Sequence, residues 1–299
     1  MRLTRLSVVM GLGLTIAVPG RAAAADHNWE LGHGFWAAYL QNTLAVVSEL
    51  DVARWDWVLV EVNGKENVPA MNRLLEINPR LKFLIRLWPI NGLGVPGMDG
   101  GTATFLEYTL KPEVQEQVDA RIKLAIRDLR ENISNWDSVV AFEFVEEIPG
   151  WWGCAHEVVS CTETGGKIPP HLAHYQAEVE KARGVPLVWD ADTKWWVGQQ
   201  CAASLERINR LIKQESGGKL VFYHHQVGFD TLDEVGEKLP QGFDVVKWAG
   251  YPYYFKDIIK PAVCDGFMAY PNGPTVWNNK YMRHVKKNGW LFFSQLSHP

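Results

Sequence analysis

Beyond its first two dozen residues the chain has no apolar run of the ~20 residues that a membrane-spanning helix needs. An excess of positive charge is missing as well. Thirty Lys and Arg stand against 34 Asp and Glu, and charged residues make up only 21% of the chain. Without a polybasic surface there is little to hold a phosphate backbone, which argues against a nucleic-acid partner. Cysteines number four, and none are paired at the short spacings of a zinc site; Cys154-Ala155-His156 is a weak hint of one. A dinucleotide-binding turn is lacking too, because Gly32-His33-Gly34 has no third glycine at the required place. No metal and no cofactor are expected.

What is present begins at the N-terminus. Met1 to Arg5 carry two positive charges, Leu6 to Val18 form a short apolar run, and Ala22 to Ala25 supply an Ala-x-Ala site before Asp26. That order is the layout of a secretory signal peptide over residues 1–25, and it predicts an extracellular or periplasmic protein. Four cysteines in an exported chain favour disulfides. Cys154 and Cys161 lie close enough to staple one loop, and Cys201 and Cys264 are the remaining pair.

From about Glu30 onward, β-rich runs alternate with helical patterns. The expected strands are Leu31–Tyr39, Trp57–Val62, Lys82–Leu87, Val139–Val145, Leu220–His224, Asp244–Trp248, Gly266–Tyr270 and Trp290–Ser294. Between them lie periodic helices, among them one with Val114, Val118, Ile122, Ile126 and Leu129 on a single face. Residues 148–194 read as a long insertion after the fourth strand. Strand–helix alternation at this spacing argues parallel βαβ units, and eight of them suit a (β/α)₈ barrel over residues 26–299. Such a barrel typically takes ~250 residues. Its last helix would follow the eighth strand, yet Pro299 comes first, so the chain is expected to be truncated there.

Barrel enzymes place their chemistry at the C-terminal ends of the strands. The polar and aromatic residues there are Glu61 and Asn63 after the second strand, Arg86 and Trp88 at the third, and Glu143, Glu146 and Glu147 at the fourth. The fifth ends in His224 and His225, the sixth in Trp248 and Tyr251, the seventh in Tyr270 and the eighth in Gln295. Phe142 and Phe144 should face the helices, which turns Glu143 inward on the same side as Glu147. Arg86 and Glu61 share that inward phase. Glu143 is therefore open to two readings, an interior ion pair with Arg86 or a catalytic group. Glu146 and Glu147, followed by Trp151 and Trp152, have the desolvating surroundings that keep a carboxyl group protonated near neutral pH.

The chain holds 14 Trp. Several stand at strand ends or in the loops after them, and indole faces beside carboxylates are how a cleft binds sugar rings. At the fourth strand, Val145-Glu146-Glu147-Ile148-Pro149 resembles the clan A type of (β/α)₈ glycoside hydrolases, in which an Asn-Glu pair closes strand four. The resemblance implies Glu147 as acid/base and Glu146 at the Asn position. The clan carries its nucleophilic Glu at the end of strand seven, whereas Gly266-Phe-Met-Ala-Tyr-Pro-Asn272 has no carboxylate. The second carboxyl group is then one of Glu61, Glu143, Asp190 or Asp192, the last two equally suited to capping the next helix.

The expected function is hydrolysis of a poly- or oligosaccharide by a secreted monomer. A saccharide-binding barrel without catalysis, and a lyase or metal-assisted hydrolase using His224 and His225, are the alternatives. Adjacent strand residues point to opposite faces, which weighs against both His binding one metal.

Overall fold

The computed structural model describes residues 34–37, 49–62, 65–89, 92–93, 105–144, 173–188, 190–225, 242–249 and 291–295. Seven strands form one sheet: β1 (Gly34–Ala37), β2 (Trp57–Val62), β3 (Lys82–Leu87), β4 (Val139–Phe144), β5 (Leu220–His225), β6 (Val245–Ala249) and β7 (Leu291–Gln295). Their order in the sheet is their order in the chain, and every neighbouring pair is parallel.

The helices between them are α1 (Glu49–Val52), α2 (Val68–Ile77), α3 (Phe105–Leu110), α4 (Pro112–Asn132), α5 (Gln176–Arg183) and α6 (Ala191–Ser216). Sequence sets several of their ends. Pro112 occupies the first turn of α4, where its missing N–H costs nothing, and Val114, Val118, Ile122, Ile126 and Leu129 are buried as their spacing predicts. Gly217 stops α6 with φ 74°, a left-handed conformation that favours glycine, and its N–H donates to the Lys213 carbonyl.

The two sheet faces are covered differently. Val58, Val60, Val62, Phe83, Ile85, Leu87, Phe142, Phe144 and Val221 pack with the buried stripes of the helices in one large apolar cluster. Leu59, Leu84, Ala141, Phe222 and Val245 form a smaller cluster on the other face, which includes no helical residue. Every described helix thus contributes to one side of the sheet. Same-handed crossovers between strands in sequential order put their helices on one side in this way.

Two features of the sheet go beyond the sequence reading. In β4 the register steps from Phe83↔Val139 to Leu84↔Ala141, so Val140 is an extra residue in that strand. This bulge lets Val139 and Ala141 face opposite clusters although they are two apart, and it sets the phase of Glu143. The second concerns the end of the sheet. β6 pairs directly with β7, from Val245↔Leu291 to Ala249↔Gln295, whereas the sequence reading sets Gly266–Tyr270 between these two runs. The described sheet has seven strands, and Gly266–Tyr270, expected as a further strand, falls outside the described residues.

Candidate functional site

Glu61, Arg86 and Glu143 are each the last but one residue of their strands, and they stand side by side in register: Glu61↔Arg86 across β2 and β3, Arg86↔Glu143 across β3 and β4. In a parallel sheet, residues in register share a face, so the three side chains emerge together, one pleat beyond Leu59, Leu84 and Ala141. Arg86 is fully buried. Its Nη1 lies 3.2 Å from Glu61 Oε1 and its Nη2 lies 3.5 Å from Glu143 Oε1.

The two carboxylates differ in access. The Glu143 side chain is 2% exposed and the Glu61 side chain 20%. Burial pushes the Glu61 carboxyl above the ordinary carboxylate value, and the nearby Glu143 charge pushes the same way. The Arg86 guanidinium, hydrogen-bonded to Glu61, and the nearby Trp88 indole oppose that rise without cancelling it. A lone charge at this depth is expensive, and the row works because the cation sits between two anions.

Local contacts steady the row. Asn67, at the start of α2, makes no cap with its side chain; its Nδ2 donates instead to the backbone carbonyl of Glu61. Trp88 follows β3 directly, is half-buried, and packs against the large apolar cluster while its indole reaches Glu61. Neither contact is signalled by residue spacing, since each depends on how a loop returns to the sheet.

Asp190 resolves differently from the other candidate carboxylates. It is the N-cap of α6, and its Oδ1 accepts from the Thr193 N–H at 2.7 Å. That backbone hydrogen bond holds its carboxyl below the usual range. Asp192 is exposed in the first turn of the same helix. Capping is thus the role the structure shows for Asp190.

Of the remaining site residues from the sequence, His224 pairs in register with Lys247 and His225 with Trp248, while Gln295 pairs with Ala249 at the end of the sheet. Position 224 is in phase with Phe222 and position 225 is out of phase, as strand alternation requires. Cys201 lies in α6. Asn63, Glu146, Glu147, Trp151, Trp152, Tyr251, Tyr270, Cys154, Cys161 and Cys264 lie outside the described residues. Among the described residues, no group of three His, Cys, Asp or Glu is gathered closely enough to hold a metal ion.

A second polar network lies among the helices and was not anticipated from sequence. Tyr108 on α3 donates to Asp119 Oδ1 on α4 at 2.5 Å, and Arg207 on α6 reaches both, with Nε 3.0 Å from the phenol oxygen and Nη2 2.7 Å from Asp119 Oδ2. It ties three helices together on the side of the sheet away from the Arg86 row.

No protein-family model matches this chain, and no curated protein is similar to it in sequence at a significant level. Solved structures with related shapes include a β-galactosidase from the psychrophilic Marinomonas ef1, 13% identical over 77% of this chain with a TM-score of 0.43. They also include the endo-1,4-β-mannanase of Rhizomucor miehei, 9% identical, covering 88% of this chain and 84% of its own, with a TM-score of 0.46. A third is the hyperthermostable endo-1,4-β-D-mannanase of Thermotoga petrophila RKU-1, 8% identical over 89% of this chain and 87% of its own, TM-score 0.42. This chain spans 42% of the length of the Marinomonas β-galactosidase.

Proposed function

We propose that this chain is a secreted (β/α)₈-barrel glycoside hydrolase that cleaves a poly- or oligosaccharide by carboxylate acid/base catalysis. One observation carries the proposal. Two carboxyl groups of unequal access flank a buried arginine at the C-terminal strand ends, with an indole beside the more open one. Glycosidic cleavage needs a proton donor and a second carboxyl group that works as an anion, and this row supplies candidates for the second. Sequential strand order with helices on a single side supports the barrel, since an open doubly wound sheet would cover both faces and reverse its order. Glu147 is assigned the acid/base role and Glu146 the neighbouring polar position, from the Glu-Glu-Ile-Pro motif that follows β4. Both stand a few residues beyond Glu143 in the chain.

Release of reducing sugar from a panel of neutral and acidic polysaccharides tests the activity. Wild type should release sugar, and Glu147→Gln should lower kcat by about 10²–10⁴-fold, the usual worth of a general acid. Equal release by the two proteins would remove Glu147 from the mechanism. The segment Gly266-Phe-Met-Ala-Tyr-Pro-Asn272, expected as the seventh strand, carries no carboxylate, which favours a second reading as a saccharide-binding barrel. Glycan binding with no cleavage of any substrate would select it.

A further inference from the structure

Each residue of the small apolar cluster is followed, two positions along its own strand, by an ionisable residue. Leu59 leads to Glu61, Leu84 to Arg86, Ala141 to Glu143, Phe222 to His224 and Val245 to Lys247. Two positions is the strand period, so these five positions share one face and form a layer across β2–β6 toward the C-terminal ends. Ionisable residues gathered on an inner face are costly, and packing alone gives no reason for them. At this end of a barrel sheet a ligand does.

The layer divides by charge. On β2–β4 the fully buried Arg86 lies between Glu61 and Glu143, at 3.2 and 3.5 Å, and with both carboxyl groups ionised this group is net negative. On β5 and β6, His224 and Lys247 are partners in register. Glu143 is in register with Phe222 and Phe222 with Val245, which sets Lys247 two strands and one pleat away from Glu143. From the usual strand spacing and rise, that is about 12 Å between backbone positions, so the two basic residues form a group of their own. A lysine at the position beside His224 also opposes a metal ion there, since both are cations. An anion is the ligand that an imidazole and an ammonium suit together.

We infer that His224 and Lys247, adjacent in register on β5 and β6, bind the carboxylate of an acidic sugar, so that the saccharide taken by this chain is a uronate. The inference rests on the hydrolase reading and names its substrate class. The Glu61–Arg86–Glu143 group repels a uronate carboxylate and the β5–β6 side attracts it, which orients the sugar as well as selecting it.

Calorimetry on the whole chain with oligogalacturonate and oligoglucuronate, each against its neutral methyl ester, tests the assignment. Wild type should bind an acid form about 10–100-fold more tightly than its ester, the worth of a hydrogen bond to a charged group. Lys247→Met keeps the stem and drops the charge, and should bring that ratio to within about threefold of one. Lys247→Arg should restore most of it. Circular dichroism melts check folding, and the wild-type ratio reads the preference even if the Met variant unfolds. Equal binding of acid and ester by wild type, or a folded Lys247→Met with the wild-type ratio, overturns the assignment. Binding or sugar release confined to neutral cello-, manno- or xylo-oligosaccharides overturns it too, and leaves the hydrolase reading standing. A chain that neither binds nor cleaves any of these sugars sinks both.

Discussion

Arg86 and Glu143 face each other across β3 and β4 at 3.5 Å, with Arg86 fully buried and the Glu143 side chain 2% exposed. A pair at this depth is a poor source of net stability, because desolvating both ions offsets most of their attraction. Its value lies in fixing the guanidinium against Glu61, 3.2 Å from the other Nη atom.

Breaking that pair on one side should be costly. Glu143→Ala leaves Arg86 with a diminished counter-charge in the interior, and about 3–5 kcal/mol of unfolding free energy should be lost in urea titrations. Replacing both partners by leucine should recover most of the loss. A single variant as stable as wild type would mean that the guanidinium does not depend on Glu143.

Trp88 should tune Glu61. Its indole lies beside that carboxylate and favours the ionised form. In Trp88→Phe the indole is gone, so the proton should be held to higher pH, further above the ordinary glutamate value than in wild type. Carbon-detected NMR titration of the Glu61 carboxyl reads this directly. A shift to lower pH would contradict this influence of the indole.

Asp190 should give stability a carboxylate signature at acid pH. Its folded pKa lies below the ordinary aspartate value because the Thr193 N–H stabilises the anion. Its contribution is therefore fully present above the unfolded pKa and lost as pH falls through the lower, folded pKa. Asp190→Ala should melt below wild type at neutral pH, with a gap that narrows on acidification. A gap constant from neutral to strongly acidic pH would show that the hydroxyl-bearing acid caps as well as the anion.

The Arg86 row was legible in the sequence because strand alternation is local. Phe142 and Phe144 flank Glu143, and Val60 and Val62 flank Glu61, so each polar residue's face follows from its neighbours. The buried stripe of α4 was legible for the same reason, with helical spacing in place of alternation. Asp190 was not, since an aspartate before a helical stretch followed by Trp195-Trp196 fits a cap and a cleft alike until the Thr193 N–H is placed. The Tyr108–Asp119–Arg207 network joins residues that sit 88 and 99 positions from Arg207. No spacing rule reaches that far.

By itself the sequence determined the strand–helix alternation, the inward phase of Glu61, Arg86 and Glu143, and the apolar faces of the helices, because each depends on backbone periodicity within a few residues. Only the tertiary structure decided which strands pair. It set β7 directly against β6, and it placed the extra residue Val140 in β4. It also separated a sealed Glu143 from a partly open Glu61, since burial depends on elements distant in the chain. The row's two carboxylates are alike in sequence and unlike in solvent access.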